Sequence, residues 1–266
     1  MPELPEVETI IRSLRPALTG RIILSADLRW ARSLAAPSAA LFEERIAGQR
    51  IEAITRRAKF LDLQLSRDHL LIHLRMSGDL LAVLGGYAPA RHDRLILALS
   101  DDARLVFSDP RKFGRVWLVE DPASLFRDLG PEPLSEEFTS AWLFKALHAR
   151  HRQLKPLLLD QSFISGLGNI YTDEALHLAK LHPLRLSDSV TRRQAERLYE
   201  AIRSVLEEGI RRNGASIDWV YRGGDFQNHF RVYGRTGQPC PVCGTGIERI
   251  TIGQRGTHFC PHCQRV

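Results

Sequence analysis

The spacing of apolar residues divides the chain into regimes. Across residues 3–18, Leu4, Val7, Ile10, Ile11, Leu14 and Leu18 fall three or four apart, which predicts a helix with one apolar stripe. Pro16 loosens its last turn and Gly20 stops it. Strand-like alternation follows at 21–28, 50–56, 60–65, 70–74, 80–84, 94–99, 104–108 and 115–119, interrupted by a short helix over 39–46. Short strands joined by Ser-Gly-Asp and Ser-Asp-Asp turns predict a β-sandwich or barrel with the first helix packed along it. Gly130-Pro131-Glu132-Pro133 ends this regime and marks a hinge. Beyond it the period is helical. Ser135-Glu136-Glu137-Phe138 opens a helix running to about residue 148, and a second covers 155–160. A third, capped by Asn169, reaches residue 180, and a fourth runs from Thr191 to Asn213-Gly214. The fold class is α+β: an N-terminal β-sandwich domain over 1–130, a helical domain over 131–230, and a compact tail over 231–266.

Composition adds modest constraints. The chain has 266 residues, 44% hydrophobic and 26% charged, as soluble globular proteins do. No apolar run approaches the ~20 residues of a membrane span, and no basic-then-apolar signal pattern opens the chain, so a cytoplasmic protein is expected. The net charge of +6 is spread at +2 over residues 1–130 and +4 over the remainder. Arginine dominates lysine, which suits forked contacts to phosphate. No surplus apolar stripe asks for a second subunit, so a monomer is expected.

The cysteines change the picture more. All four lie in the tail, as Cys240-x2-Cys243 and Cys260-x2-Cys263 with 16 residues between the pairs. Two such knuckles place four thiolates around one Zn²⁺ and leave no open position for water, so the metal is structural. The segment between them reads as strand–turn–strand with Arg255 at the tip, a cation suited to probing phosphate.

Three further stretches carry candidate chemistry. Met1-Pro2-Glu3-Leu4-Pro5-Glu6 is helix-start grammar; once Met1 is trimmed, Pro2 also becomes a secondary-amine nucleophile with Glu3 and Glu6 as proton carriers beside it. Gly166-Leu-Gly-Asn169 precedes a helix N-terminus that can face an anion. Asp109-Pro-Arg111-Lys-Phe113-Gly114 sets a forked cation two residues from an aromatic ring at a turn.

Together these residues resemble the bacterial formamidopyrimidine-DNA glycosylases, from Pro2 to the last knuckle. The resemblance also rests on Arg57-Ala-Lys-Phe60, His73-Leu-Arg-Met-Ser-Gly78, Leu129-Gly-Pro-Glu-Pro-Leu134, Gly166-Leu-Gly-Asn-Ile-Tyr171 and Val232-Tyr-Gly-Arg235. Leu4 favours this branch over the related endonuclease VIII enzymes, which open with Pro-Glu-Gly-Pro-Glu. The resemblance implies a helix-two-turn-helix domain, a zinc-finger hairpin, and duplex DNA with oxidised bases or abasic sites as partner. It implies a Pro2 nucleophile with Glu3, supporting Glu6, and Lys59 at the lesion. It further implies phosphate contacts by Lys59, His73, Asn169, Tyr171 and Arg255, and DNA contacts by His92 and Lys155. Met76 and Phe113 would be wedges, and Arg111 would satisfy the base left unpaired.

One loop departs from the pattern. In Gly214-Ala-Ser-Ile-Asp-Trp-Val-Tyr-Arg-Gly-Gly224, Asp218 stands where several members carry a basic residue, so closure over a flipped base is open; Trp219 and Tyr221 could stack on a base or pack the loop. Two other functions fit the same residues: an endonuclease VIII-like enzyme for oxidised pyrimidines, and a zinc-ribbon damage-binding protein without catalysis if Met1 is retained.

Overall fold

The computed structural model describes residues 2–216 and 223–265. It divides into two compact units, Met1–Arg127 and Asp128–Ala215 with Gly224–Val266. Asp218, Trp219 and Tyr221 lie outside the described residues.

The first unit is a two-sheet sandwich. Its elements are α1 (Leu4–Leu18), β1 (Ile23–Asp27), β2 (Leu34–Ala36), α2 (Ala39–Ile46), β3 (Ile51–Arg57), β4 (Phe60–Leu65), β5 (His69–His73), β6 (Asp79–Leu84), β7 (Asp93–Leu99), β8 (Ala103–Ser108), β9 (Arg115–Val119) and α3 (Ala123–Phe126). One sheet has the order β1-β7-β8-β6 and the other β2-β9-β5-β4-β3. Leu61, Leu63, Leu70, Ile72, Leu95, Leu97, Leu105 and Phe107 fill one shared core with the α1 stripe. That stripe packs against β3 and β6, which are edge strands of the two sheets, so α1 closes an open side of the sandwich. Burying such a side chain contributes about 1.5–3 kcal/mol each. Pro16 stays within α1, whose Thr19 N–H bonds back to Arg15 O.

Every expected strand of this unit forms, with ends shifted by at most two residues. Strand β2 and helix α3 are additions. With three and four residues, they are too short for a period to register in sequence.

The second unit holds α4 (Ser140–His148), α5 (Leu154–Leu159), α6 (Asn169–Leu178), α7 (Arg192–Arg211) and the hairpin β10 (Glu248–Ile252)–β11 (Arg255–Phe259). Two tight turns join α5 to α6. Phe163 and Ile164 N–H bond back to Asp160 O, and the Gln161 side chain ties Gly166 N–H to Leu167 O. Two helix starts differ from expectation. Helix α4 begins at Ser140, because the Thr139 hydroxyl accepts from Trp142 N–H and caps it, whereas Ser135 closes a turn on Glu132. Helix α6 is capped by Gly168, and Asn169 is its first helical residue. Helix α7 starts as expected, through a Thr191–Gln194 capping box. Gly209 inside α7 costs about 1 kcal/mol of helix propensity. A Cβ there would sit 2.5 Å from the Tyr171 ring, so close packing of α6 on α7 demands glycine.

Candidate functional site

In the first unit, topology gathers nine of the expected residues at one end of the sandwich. Helix α1 starts at Glu3, whose N–H donates to Glu6 Oε2 at 2.8 Å in a reciprocal capping box. Pro2, Glu3 and Glu6 are all buried, the two glutamates at 2% exposure. Along β3, Arg15 bonds to Ile54 O while Glu8 pairs with Arg56, so the helix start advances toward the Ala58-Lys59 turn that follows. Ala58 takes φ 54°, which makes that two-residue turn tight. Phe60, next to Lys59, is the register partner of His73, and their rings meet edge-on at 4.8 Å. Lys59 and His73 are 5% and 9% exposed. Burial, with Arg75 and Lys59 nearby, pushes His73 down to about 3, so the ring is neutral. Its Nδ1 lies 3.0 Å from the Arg75 N–H and accepts from it, which leaves Nε2 as a donor.

Met76, His92, Arg111 and Phe113 sit on loops at this same end. The strand ends at Ser108, Asp79 and Asp93 are paired, so the loops before or after them emerge together. One buried carboxylate organises them. Asp109, at 0% exposure, accepts from the Ser77 hydroxyl and from Arg111 N–H with Oδ1, and from Gly114 N–H at 2.7 Å with Oδ2. Its backbone accepts from Arg94 Nε at 2.8 Å and donates to His92 O at 2.8 Å. The turn bearing Met76 and the turn bearing Arg111 and Phe113 are therefore fixed to one side chain. Gly78 is needed for this closeness, because a Cβ would lie 2.6 Å from Leu74 O. Arg111, Phe113 and His92 are exposed and Met76 is half-buried. Phe113 keeps 49% of its surface in water, with the Arg111 guanidinium 5.0 Å from its ring centre. A large aromatic held in water by a rigid turn is shaped for contact rather than for stability.

In the second unit the hairpin lies along α6. Gly253 and Gln254 both have positive φ, giving a two-residue turn that presents Arg255, an exposed residue, at the tip. Asn169 donates Nδ2–H to Gly256 O at 3.0 Å, which fixes the tip beside the helix start and leaves its second N–H available. At the other end of the hairpin, the four cysteine sulfurs lie within 4.8 Å of one another. The Cys240–Cys263 and Cys243–Cys260 sulfur separations of 3.9 and 3.4 Å exclude disulfides, whose bond is about 2.05 Å. They bracket the ~3.8 Å edge of a tetrahedron built on Zn–S bonds of about 2.3 Å. Val242 and Cys263 N–H groups point at the Cys240 and Cys260 sulfurs, the backbone arrangement that holds thiolates. The residues fit one structural Zn²⁺ held by Cys240, Cys243, Cys260 and Cys263.

Two expected DNA contacts are corrected by burial. Tyr171 is 0% exposed; its ring stacks on Phe226 at 5.1 Å and fills the notch at Gly209. Lys155 is 0% exposed, its ammonium paired with Asp173 and donating to Asn169 O at 3.1 Å. It supports Asn169 from behind and offers no surface to a partner. Sequence reasoning missed Tyr233, quoted only within Val232-Tyr-Gly-Arg235. Its ring stands half-buried, edge-on to His258 at 5.0 Å. Its N–H, with those of Arg231 and Val232, converges on the Glu174 carboxylate at 2.8–3.0 Å. Burial pushes the Glu174 carboxyl up against the pull of those three donors. Tyr233 and Asp109 were marked only by the motifs that contain them, and Glu174 by none, because an isolated acid usually signifies solvated surface.

Comparison with known proteins follows the same division. Residues 1–116 match the formamidopyrimidine-DNA glycosylase N-terminal domain, 129–220 its H2TH domain, and 237–266 the zinc finger found in this family and in isoleucyl-tRNA synthetase. Formamidopyrimidine-DNA glycosylase of Chloroflexus aurantiacus is 50% identical over 272 residues, covering 99% of this chain and 98% of that one. The Pelotomaculum thermopropionicum protein of that name is 45% identical, with full coverage of both. Among solved structures, MutM bound to DNA containing carbocyclic 8-oxoguanine superposes with a TM-score of 0.93 at 36% identity, over all of both chains. The Lactococcus lactis enzyme bound to DNA with an abasic site gives 0.93 at 35%, also over all of both chains. On these matches, and with the four-cysteine cluster in place, the chain belongs to the formamidopyrimidine-DNA glycosylase family.

Proposed function

We propose that the protein excises oxidised purines, 8-oxoguanine and formamidopyrimidines, from duplex DNA and then cuts the abasic strand through a Schiff base on Pro2. The observation that carries this reading is the helix start: Pro2, whose nitrogen becomes a secondary amine once Met1 is removed, stands beside two buried glutamates at the sandwich end that also bears Lys59 and His73. The Pro2 nitrogen attacks the sugar C1′ and the damaged base leaves, taking a proton as it departs. The nitrogen then gives up its proton, and its lone pair expels the ring oxygen, which takes a proton and opens as a hydroxyl, to give an iminium; this acts as electron sink while β- and δ-elimination break the two C–O bonds to phosphate. Glu3 carries protons to and from the ring oxygen. Glu6 holds the Glu3 backbone N–H and so positions the amine and its acid together. All of this requires removal of Met1, because an amide nitrogen has no lone pair to give.

The phosphate-holding groups are Lys59 and the neutral Nε2–H of His73 in the first unit, and Asn169 and Arg255 in the second. Met76 and Phe113 enter the space left by the extruded nucleotide, Arg111 bonds the unpaired base, and His92 contacts the strand. These contacts offset the few kcal/mol of unstacking. Zinc, held by the four cysteines, supplies rigidity to a hairpin too small to fold alone. Acting on DNA in a bacterial cell, as the bacterial relatives suggest, the protein would work in the cytoplasm at the nucleoid.

Borohydride trapping on duplex DNA with 8-oxoguanine opposite cytosine tests the reading. A covalent adduct is expected from protein that begins at Pro2, and none from protein that retains Met1. Adducts formed equally by the Met1-retaining protein defeat the Pro2 mechanism, and adducts formed only on oxidised pyrimidines defeat the purine assignment.

A further inference from the structure

Helix α6 presents three polar side chains at four-residue spacing: Asn169, Asp173 and His177. Positions i, i+4 and i+8 lie on one face of a helix. Each reaches the zinc-bearing segment. Asn169 Nδ2–H donates to Gly256 O at 3.0 Å. Asp173 Oδ2 accepts from His258 N–H at 2.9 Å, with His258 Nδ1 3.3 Å away. His177 Nε2 lies 3.4 Å from the sulfur of the zinc ligand Cys240. Resting on the reading of Asn169 and Arg255 as phosphate contacts, we propose that Asp173 and His177 are positioning residues that lock the hairpin in register along α6. Through them the metal at its base sets where Arg255 stands at its tip.

The spacing explains why the lock works. Four helical residues rise about 6.0 Å. Two strand residues rise about 6.7 Å. Asn169 and Asp173 therefore meet Gly256 and His258 at once. Among the described residues strand β11 pairs only with β10, so its outer edge carries backbone groups at alternate residues that no strand pairs. Gly256 O and His258 N–H are two of these, and α6 satisfies them with side chains where a third strand would otherwise lie. A one-residue slip would turn the wrong backbone groups toward α6, since strand residues alternate in direction. A cost also argues for a role. Asp173 is 1% exposed and paired with fully buried Lys155. Buried ion pairs add little stability over an apolar pair of the same shape, and fixing a register is their best-attested use.

A mutant cycle tests the proposal in full-length, zinc-loaded protein. The readout is the Kd for a duplex carrying a tetrahydrofuran abasic analogue, with zinc content measured on every sample. In the unaltered background, Arg255→Ala should weaken binding about tenfold. Asp173→Asn alone should weaken binding while keeping one zinc per chain. Adding Arg255→Ala to it should then cost less than about twofold more, because the arginine is already misplaced. The double variant Lys155→Met/Asp173→Leu removes the charges as a pair and repeats the test if Asp173→Asn folds poorly. A full tenfold cost of Arg255→Ala in both Asp173 backgrounds would overturn the register role. No cost in the unaltered background would instead overturn the phosphate reading of Arg255, and the proposal with it. For His177, zinc loss to a chelator should quicken about tenfold in His177→Leu and stay near the unaltered rate in His177→Gln, which keeps a donor. Equal rates in all three would remove His177 from the lock.

Discussion

The sandwich end and the α6 hairpin both hold surface groups still, but they do so by opposite means. In the first unit, one continuous apolar core runs from α1 through both sheets, and the functional loops only need their turns closed over it. Asp109 closes two of them at once. In the second unit the zinc segment has almost no core of its own: Val232, Cys240, Ile247 and Cys260 form its buried apolar cluster. There the holding is done by polar bonds to α6, by Glu174 under residues 231–233, and by thiolates around a metal. A large core tolerates the loss of any one polar bond better than a small one does, because each such bond contributes only about 1 kcal/mol net. The two regions should therefore respond differently to the same kinds of damage.

Removing zinc is the strongest way to separate them. Chelation should weaken binding to abasic-analogue DNA by about a hundredfold, since the hairpin loses its base. The sandwich should keep its near-ultraviolet circular dichroism and its melting step. Loss of that step on chelation would show that the two regions are not independent in the way argued here. Next in size, Asp109→Ala should destabilise the sandwich by about 2 kcal/mol in urea unfolding, because it strands the buried Gly114 N–H and the Ser77 hydroxyl. The zinc content of that variant should not change. Phe113→Ala should slow release of 8-oxoguanine about tenfold, as loss of a wedge would, while stability stays within about 0.5 kcal/mol because the ring is already half in water. An unfolding shift well above that, without a kinetic effect, would return Phe113 to a packing role.

The smallest effect concerns pH. His73 is held neutral, near 3, against about 6.5 when unfolded. The unfolded chain therefore binds the extra proton first. The stability this neutral ring contributes is complete above pH 6.5 and is lost as pH falls from 6.5 toward 3. Between pH 6.5 and 5 the unaltered protein should lose about 1.5 kcal/mol more than His73→Gln. Parallel pH profiles of unfolding for the two proteins would contradict the buried, neutral ring.

Much of this could be read in the chain itself. The strands of the sandwich, the long helices and the zinc site follow from apolar period and cysteine spacing, which act over a few residues. What could not be read depends on contacts distant in sequence. Ser135 and Thr139 are both plausible helix starts; Arg203, 68 residues away, holds the Ser135 carbonyl, and the helix opens at Thr139 instead. Asn169 looks like a cap, yet its side chain is drawn to Gly256, 87 residues away. Lys155 and Tyr171 resemble exposed contacts in a motif and are both interior, one against Asp173 and one against Phe226 and Gly209.

The first residues illustrate the division best. Sequence alone determined that Pro2, Glu3 and Glu6 begin a helix, because proline presets φ and carboxylates favour that terminus. It also determined that four thiolates at this spacing bind one metal. Tertiary structure decided what those local features are near: that the helix start lies at the sandwich end bearing Lys59 and His73, and that the metal stands at one end of α6 with Arg255 at the other. The physical reason is range. Period, caps and chelate spacing are fixed by a chain's own geometry over one or two turns, whereas burial and pairing of a charge depend on which distant segment arrives beside it.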